Sequence, residues 1–313
     1  MKVTRNLLKN SSTLYYLYFR VNFLLKYEIP ARIMGDRFYV VKKYTKRFGF
    51  APNLKAPIRL TEKMQVLKLK DHNDVYTLYA DKYRVREFIG ATFGEDILIP
   101  LVYDTANWRN LRPENLPNTP CVIKANTGCG TYQIIKDMSK VNWNLLRGKA
   151  RVWVTNNHYY KSQEWQYKNI KPHYIVEQLL QPKDGFFPND YKLFYVGGEL
   201  QFIHVSVNGD RTNRYKIEYD PEWKPLNFSW EKRITSGEYH RGKEVPRPET
   251  FERMKEIGSV IAKDMPQVRV DFYDVDGKLY FGEITMCHGS GMNIFIPDEY
   301  DIYFGAKLTL PAY

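Results

Sequence analysis

The pattern of apolar and polar positions divides the chain into a helical opening and a strand-rich remainder. Residues 12–50 read as helical, with breaks at Pro30 and Gly35. A proline-containing loop over 51–59 follows. The next segment predicts a helix over 61–79, with Thr61 as N-cap and Glu62 adding negative charge to the first turn. A second helix over 81–89 ends at Gly90, and a short strand covers 97–102. The Pro- and Asn-rich run 112–120 marks a boundary. Beyond it, strands over 121–125 and 132–135 flank a glycine loop, and 142–160 reads as a helix. A strand over 174–180 precedes a hairpin, 191–196 with 200–207, about Gly197 and Gly198. A helix over 249–264 leads to a last hairpin, 268–274 with 278–286. The mixture has no regular βαβα rhythm, so the expected class is α+β rather than a doubly wound sheet.

Composition changes this picture mainly at the start of the chain. No run approaches the roughly 18–20 uninterrupted apolar residues that a membrane span needs. Residues 14–25 come nearest, and Arg20 and Asn22 interrupt them. No small-residue cleavage site follows an early apolar stretch, so no signal peptide is read. Cys121, Cys129 and Cys287, with no CxxC, fit a reduced compartment better than a disulfide framework or a zinc site. The expectation is a soluble cytoplasmic protein. Residues 1–50, however, hold eleven Lys or Arg and two acids, 11 − 2 = +9 of the total +12. Lys42, Lys43, Lys46 and Arg47 lie beside Phe38, Tyr39, Tyr44 and Phe48. Such a segment can lie on an anionic membrane surface at the inner face of the cell membrane. The same composition could grip nucleic acid, the less favoured partner. Amphipathic helices with merely solvated basic faces would look alike.

The sharpest chemistry lies in RVDFYDVDGKLYFGEIT. Side chains alternate along a strand, so Arg269, Asp271 and Tyr273 share a face, as do Glu283 and Thr285. Whether the two sets share one face depends on the turn. A two-residue Asp276-Gly277 loop pairs Val275 with Lys278 and puts Asp271 and Glu283 on opposite sides. A three-residue loop pairs Asp274 with Lys278 and aims Arg269, Asp271, Glu283 and Thr285 the same way. The three-residue loop is the expectation. Two carboxylates on one face repel unless a divalent ion sits between them, and Mg²⁺ favours a few carboxylates plus substrate phosphates. The plainer alternative is a cross-strand Arg269–Glu283 ion pair with Asp271 solvated.

Upstream, CVIKANTGCG places Lys124 just before Gly128-Cys129-Gly130, where glycines let backbone N–H groups approach phosphate oxygens. The GxxxxGK[ST] pattern and the third glycine of a dinucleotide fingerprint are both absent. Taken alone, an ordinary hairpin turn would look the same. The order of features is more telling: Lys82 in ADKYRVREFI, Lys124, Glu177 closing YIVE, Asp184, Asp190 and Lys192 in DYKLFYV, then the acidic hairpin. This succession resembles the ATP-grasp superfamily, which includes D-alanine–D-alanine ligase. More closely, it resembles the TupA-like branch linked to teichuronopeptide and other surface-polysaccharide synthesis. LTEKMQVLKLKDHNDVYTLYADKYRVREFIG, CVIKANTGCG, DYKLFYVGGELQFI and RVDFYDVDGKLYFGEITMCHGSG look like that branch's motifs in the same order.

The resemblance implies an ATP-grasp fold, two α+β subdomains clamping ATP, preceded by a mainly helical N-terminal region. The implied divisions are a basic segment 1–59, a region 60–118, and a nucleotide- and metal-binding domain 119–313. It also implies roles. Lys82 and Lys124 would contact the ATP phosphates, covered by the loop holding Gly128, Cys129 and Gly130. Glu177, Gln178, Leu179 and Leu180 would form the hinge that holds adenine, with Asp184 at the ribose. Lys192 would sit near the phosphates, and Arg269 would offset charge on the transferring phosphoryl group. Asp271 and Glu283 would bind Mg²⁺, with Thr285 where the superfamily commonly has Asn. His288, Gly289, Ser290 and Gly291 would lie by the acyl acceptor. Arg211 and Arg214, in a polar loop, are candidates for a substrate phosphate or carboxylate. The implied reaction is an ATP-dependent carboxylate–amine ligation through an acyl phosphate. An amino acid would be joined to a surface polysaccharide or its precursor, which a membrane-surface segment suits if the glycan is lipid-linked. Two other readings stay open. A glycosyltransferase would use Asp274 and Asp276 as a metal-binding Asp-x-Asp, although Asp is favoured in a tight turn for backbone reasons. A non-enzymatic basic adaptor leaves the lysine, glycine-loop and carboxylate series unexplained.

Overall fold

A computed structural model describes residues 10–185, 187–208, 214–231 and 242–312, so Arg211 lies outside the described residues. The chain forms two compact units. One comprises Met1–Tyr39, Asn73–Ile89 and Ile99–Leu179; the other comprises Val40–His72, Gly90–Leu98 and Leu180–Tyr313.

The first unit is built on an antiparallel sheet of β1 (Leu101–Thr105), β2 (Cys121–Ala125), β3 (Tyr132–Ile135) and β4 (Tyr174–Gln178), in the order β1-β4-β2-β3. Cys121, Ile123 and Ala125 alternate inward and meet Tyr174 and Val176 from β4 and Leu146 and Ala150 from the helix Trp143–Thr155. Asn142 caps that helix, its side chain accepting from Leu145 N at 3.0 Å. The expected single helix over 142–160 is two. The first ends at Thr155, and Asn157 starts His158–Ser162 by accepting from Tyr159 N at 3.0 Å. The N-terminal helix Ser12–Phe23 packs on Trp143–Thr155. Gly148 makes this approach close: a Cβ there would come within 3.0 Å of the Ser12 carbonyl oxygen. Pro30 does not break the run as expected. A π-turn, Leu24–Glu28, precedes it, so the ring falls in the first turn of Ile29–Met34, where no N–H is needed. The break comes at Gly35, whose φ of 70° suits glycine. The outer side of this run is apolar: Leu14, Leu17, Tyr18, Val21, Leu25, Ile29 and Ile33 are all exposed. No described helix is long and apolar enough to cross a membrane.

The second unit holds a five-stranded antiparallel sheet of β5 (Asp190–Val196), β6 (Glu199–Asn208), β7 (Arg214–Tyr219), β9 (Gln267–Val275) and β10 (Lys278–Thr285), ordered β10-β9-β5-β6-β7. A two-stranded sheet pairs β8 (Ser229–Glu231) with β11 (Ile294–Ile296). The helix Phe251–Ala262 covers one face of the large sheet, and Gly258 lets it settle against Tyr195. An aromatic core of Phe194, Phe202, Phe228, Trp230, Phe295 and Phe304 closes one end of the other face.

The expected helix over 61–79 is interrupted. It runs Leu60–Lys70, and Asn73 caps a separate helix, Asp74–Ala80. Thr61 is not the N-cap but lies inside the first turn. Its N–H and hydroxyl both donate to Asp301, at 2.9 and 2.6 Å, so a remote carboxylate serves this helix start. Glu62 reaches back to the backbone N–H groups of Asn53, Ile58 and Arg59. The expected helix over 81–89 instead runs Val85–Phe93 and passes through Gly90.

Candidate active site

The last hairpin decides where the acids point, and it does so by an unexpected route. Asp276 and Gly277 alone form the turn, at φ of 53° and 81°, and Val275 pairs with Lys278. This is the two-residue loop, not the expected three-residue one. A regular ladder from it would aim Glu283 away from Asp271. Instead a bulge falls between Phe281 and Glu283, and Glu283 stands directly opposite Asp271, with Thr285 opposite Arg269. Gly282 is the surplus residue. A Cβ on it would lie 2.9 Å from the Asp271 carbonyl oxygen, so only glycine fits without displacement.

The register continues across the sheet. Asp271 pairs with Lys192, Lys192 with His204, and His204 with Glu218. One row of ionisable side chains therefore crosses five strands: Glu283, Asp271, Lys192, His204 and Glu218. Arg269 binds Asp271 with two bonds, Nε to Oδ1 at 2.5 Å and Nη2 to Oδ2 at 2.6 Å, and reaches Glu283 at 2.7 Å. Thr285 donates to Glu283 at 3.4 Å. Lys192 contacts Asp190, one of whose carboxylate oxygens is buried without a hydrogen-bond partner. His204 Nδ1 meets Glu218 at 2.9 Å, both side chains buried. Burial pushes the Asp271 carboxyl up to about 7, with Asp190 and Glu283 adding to the rise and Arg269 and Lys192 opposing it. Crowded acids with an unsatisfied oxygen nearby fit a divalent cation, which would add the positive charge that Arg269 and Lys192 only partly supply. Among the described residues no three His, Cys, Asp or Glu side chains form a complete cage. That donor set suits Mg²⁺, which takes one or two carboxylates and completes its shell with phosphates and water.

The loop His288–Gly291 flanks this row. Arg269 Nη1 contacts His288 Nδ1, and Asn293 Nδ2 lies 3.0 Å from Nε2. Both ring nitrogens cannot accept in a neutral imidazole carrying one N–H. Exchanging the Asn293 amide atoms lets Nε2–H donate to Oδ1, at the loss of the 3.4 Å bond from Nδ2 to the Trp230 carbonyl. Burial and the adjacent Arg269 hold His288 well below its ordinary value, so it is neutral and props the guanidinium. Gly289, Ser290 and Gly291 take positive φ, and Gln65 and Lys68 hold the Ser290 carbonyl at 3.4 and 3.2 Å.

The first unit holds the lysines. Lys124 Nζ meets Glu177 Oε2 at 2.5 Å, and Arg86 meets Oε1 at 2.7 Å, so Glu177 bridges two cations. Lys82 donates to the Gly128 carbonyl at 3.1 Å. Asn126 ties the loop base to Asp81 and to Lys171, each at 2.9 Å, and Cys129 and Gly130 form the exposed crest. The N–H groups of Gln178 and Leu179 donate to the Pro100 and Pro120 carbonyls, and Leu180 begins the second unit. Asp184 is exposed in the turn closed by Gly185 N–H to Pro182. Arg214 opens β7, paired with Asn208. Asp274 accepts from Gly277 N and from Thr250, and Asp276 accepts from Lys183 N, so both are engaged by the turn and its neighbours.

The TupA-like ATPgrasp family matches residues 62–309. The chain belongs to that family. Its mixed helix-and-sheet architecture is the ATP-grasp fold, preceded by a helical N-terminal region. Solved structures similar to it include an L-amino acid ligase from Bacillus licheniformis, 15% identical with a TM-score of 0.45, over 88% of this chain and 58% of that one. A D-alanine–D-alanine ligase from Bacillus anthracis complexed with ATP is 16% identical with a TM-score of 0.37, over 67% and 56%. The ATP-grasp ligase PsnB, complexed with a phosphomimetic precursor variant, Mg and ADP, is 9% identical with a TM-score of 0.39, over 69% and 52%. The chain thus spans little more than half the length of each. No curated protein matches it.

Several residues in these clusters were not expected from the sequence. Arg86 carries no motif signal, and only the approach of the helix Val85–Phe93 to β4 reveals it as the partner of Glu177. Glu218 and His204 emerge only from strand register. Gln65 and Lys68 lie on a helix far from the loop they hold in sequence.

Proposed function

We propose that this protein is an ATP-dependent carboxylate–amine ligase that attaches an amino acid to a cell-surface polysaccharide or its precursor. The observation that carries the proposal is the alignment of Glu283, Asp271 and Lys192 across three strands under one Arg269, in a chain of an ATP-grasp family. In this reading Lys82 and Lys124 bind the ATP phosphates beneath the loop with Gly128, Cys129 and Gly130. Glu177, Gln178, Leu179 and Leu180 line the adenine, and Asp184 the ribose. Magnesium, when bound at Asp271 and Glu283 with Thr285 beside them, would neutralise phosphate charge. Lys192 and Arg269 supply the remaining fixed positive charge. The substrate carboxylate attacks the γ-phosphate, forming an acyl phosphate and releasing ADP. The amine then attacks the acyl carbon and expels phosphate. The first step asks little covalent chemistry of the protein, so positioning and charge compensation dominate. Gly289, Ser290, Gly291 and the neutral His288 shape the acceptor side, and Arg211 and Arg214 are assigned to substrate anions. ADP release with MgATP, measured over a panel of amino acids and uronic-acid glycans, tests the assignment. ADP formation independent of every carboxylate and amine would refute it.

The surface of the N-terminal run supports a lipid-linked form of the glycan in this reading. Leu14, Leu17, Tyr18, Val21, Leu25, Ile29 and Ile33 make an exposed apolar stripe, and Lys26, Arg32 and Arg37 are exposed along the same segment. Its acids are not similarly displayed: Glu28 is buried between Arg20 and Arg32. An apolar stripe with a cationic border suits an anionic lipid surface. Leu17→Glu, Leu25→Glu and Ile33→Glu together are expected to abolish cosedimentation with phosphatidylglycerol-containing vesicles. Unchanged cosedimentation removes the membrane from the proposal.

A further inference from the structure

The glycine loop also carries chemistry that ligation does not use. Cys129 is exposed at its crest. Its Sγ lies 3.7 Å from His158 Nε2, and the same nitrogen lies 3.8 Å from Glu164 Oε1. The His158 and Glu164 side chains are 13% and 5% exposed, so both partners are buried beside an exposed cysteine. Glu164 is held by Gln166 at 3.1 Å, and the Tyr167 ring stands edge-on to the imidazole at 4.9 Å. Gly128 admits His158 to the loop, since a Cβ there would lie 3.2 Å from His158 Cβ. Lys82, donating to the Gly128 carbonyl, adds positive charge beside the thiol. The thiol and the Glu164 carboxylate thus share one imidazole nitrogen, so a protonated His158 stands between them and stabilises the thiolate.

The electrostatics run the same way. Contact with His158 pulls the Cys129 thiol below its ordinary value, against the partial desolvation of the sulfur at that contact, which raises it. For His158, burial opposes the charge, but Cys129 and Glu164 outweigh it and raise the imidazole to about 9. The thiolate, not the thiol, is the reactive form. Cys121, by contrast, is buried in β2 and pushed up by that burial, and Cys287 is buried in the aromatic core.

We propose that Cys129 is a peroxide-sensitive modification site, with His158 and Glu164 as the residues that activate it. In the step, the thiolate sulfur attacks one peroxide oxygen; the S–O bond forms as the O–O bond breaks, and two electrons pass from sulfur to oxygen. The departing hydroxide takes the His158 proton, giving a sulfenic acid, water and neutral imidazole. The product sits on the loop assigned to the ATP phosphates, so oxidation opposes nucleotide binding; this last consequence rests on the ligase reading.

The test is alkylation of the whole protein by iodoacetamide, followed residue by residue with mass spectrometry. At pH 7 Cys129 is expected to react at least about tenfold faster than glutathione, Cys121 or Cys287. His158→Gln is expected to slow it by about tenfold and to move the midpoint of its pH profile upward. A Cys129 rate no greater than that of glutathione overturns the proposal, as does an unchanged profile in a folded His158→Gln protein. Dilute hydrogen peroxide should convert Cys129 to a form trapped by dimedone, and the lack of that adduct also overturns it. MgATP should protect Cys129; failure of protection with the other results intact refutes only the loop's nucleotide role.

Discussion

Asp271→Asn is expected to lower ATP turnover by at least about 100-fold, the scale on which single preorganised charge-stabilising groups act in enzyme sites. The substitution preserves shape and removes one charge. Asn can still meet Arg269, and Arg269 keeps its 2.7 Å contact to Glu283, so the sheet should hold. Under the proposed assignment the loss would fall on the cation, which would keep one carboxylate in place of two. ADP formation at saturating MgATP measures the effect, and circular dichroism checks the fold. Asp276→Asn serves as the control, because a tight turn at positive φ accepts Asn as readily as Asp. Near-parental phosphate release from Asp271→Asn would take this residue out of the reaction.

Arg269→Ala should have the largest effect on stability. Arg269 is 6% exposed and Asp271 4%, and breaking such a buried pair from one side costs roughly 3–5 kcal/mol. The cost arises because Asp271 and Glu283 then face each other with Lys192 as the adjacent cation, itself engaged by Asp190. Urea unfolding in EDTA should show the full deficit. Added Mg²⁺ should recover part of it in a concentration-dependent way, since a ligand of the folded state alone stabilises by mass action. The pH dependence has a definite sign. Burial already raises Asp271 to about 7 with Arg269 in place, and losing Arg269 raises it further. A raised carboxyl is favoured in its neutral form, so the deficit grows as pH rises through that value and shrinks in acid. A variant as stable as the parent in EDTA would show that the two acids do not strain the sheet.

Much of this was legible in the sequence because local alternation fixes it. β2 and β3 fall at their expected bounds, and in β2 strict inward and outward alternation admits one register. The approach of Asp271 and Glu283 to one face was legible as an outcome but not as a mechanism. The expectation used a longer turn, which would have set Phe281 opposite Asp271. The structure sets Phe281 against Phe272 and inserts a bulge. The pattern carried the clue: Leu279 and Phe281 are two apart, Phe281 and Ile284 three apart, with a glycine between. Elements fixed by distant partners were not legible. Thr61 is a reasonable N-cap until Asp301, 240 residues on, takes its N–H and hydroxyl. Pro30 reads as a break until the π-turn before it absorbs the ring. The resemblance puts His288 by the acyl acceptor without giving it a role, and its contacts with Arg269 and Asn293 make it a prop.

The Gly282 bulge gives β10 two phases of alternation joined by one slack residue. Before it, Leu279 and Phe281 are in step with the covered side of the sheet; after it, Glu283 and Thr285 are in step with the ionic side. Excising Gly282 would merge the phases into one unbroken alternation without turning either acid around. Filling it with a side chain would drive a Cβ toward the Asp271 carbonyl oxygen. The strand can therefore tolerate losing this residue more readily than enlarging it.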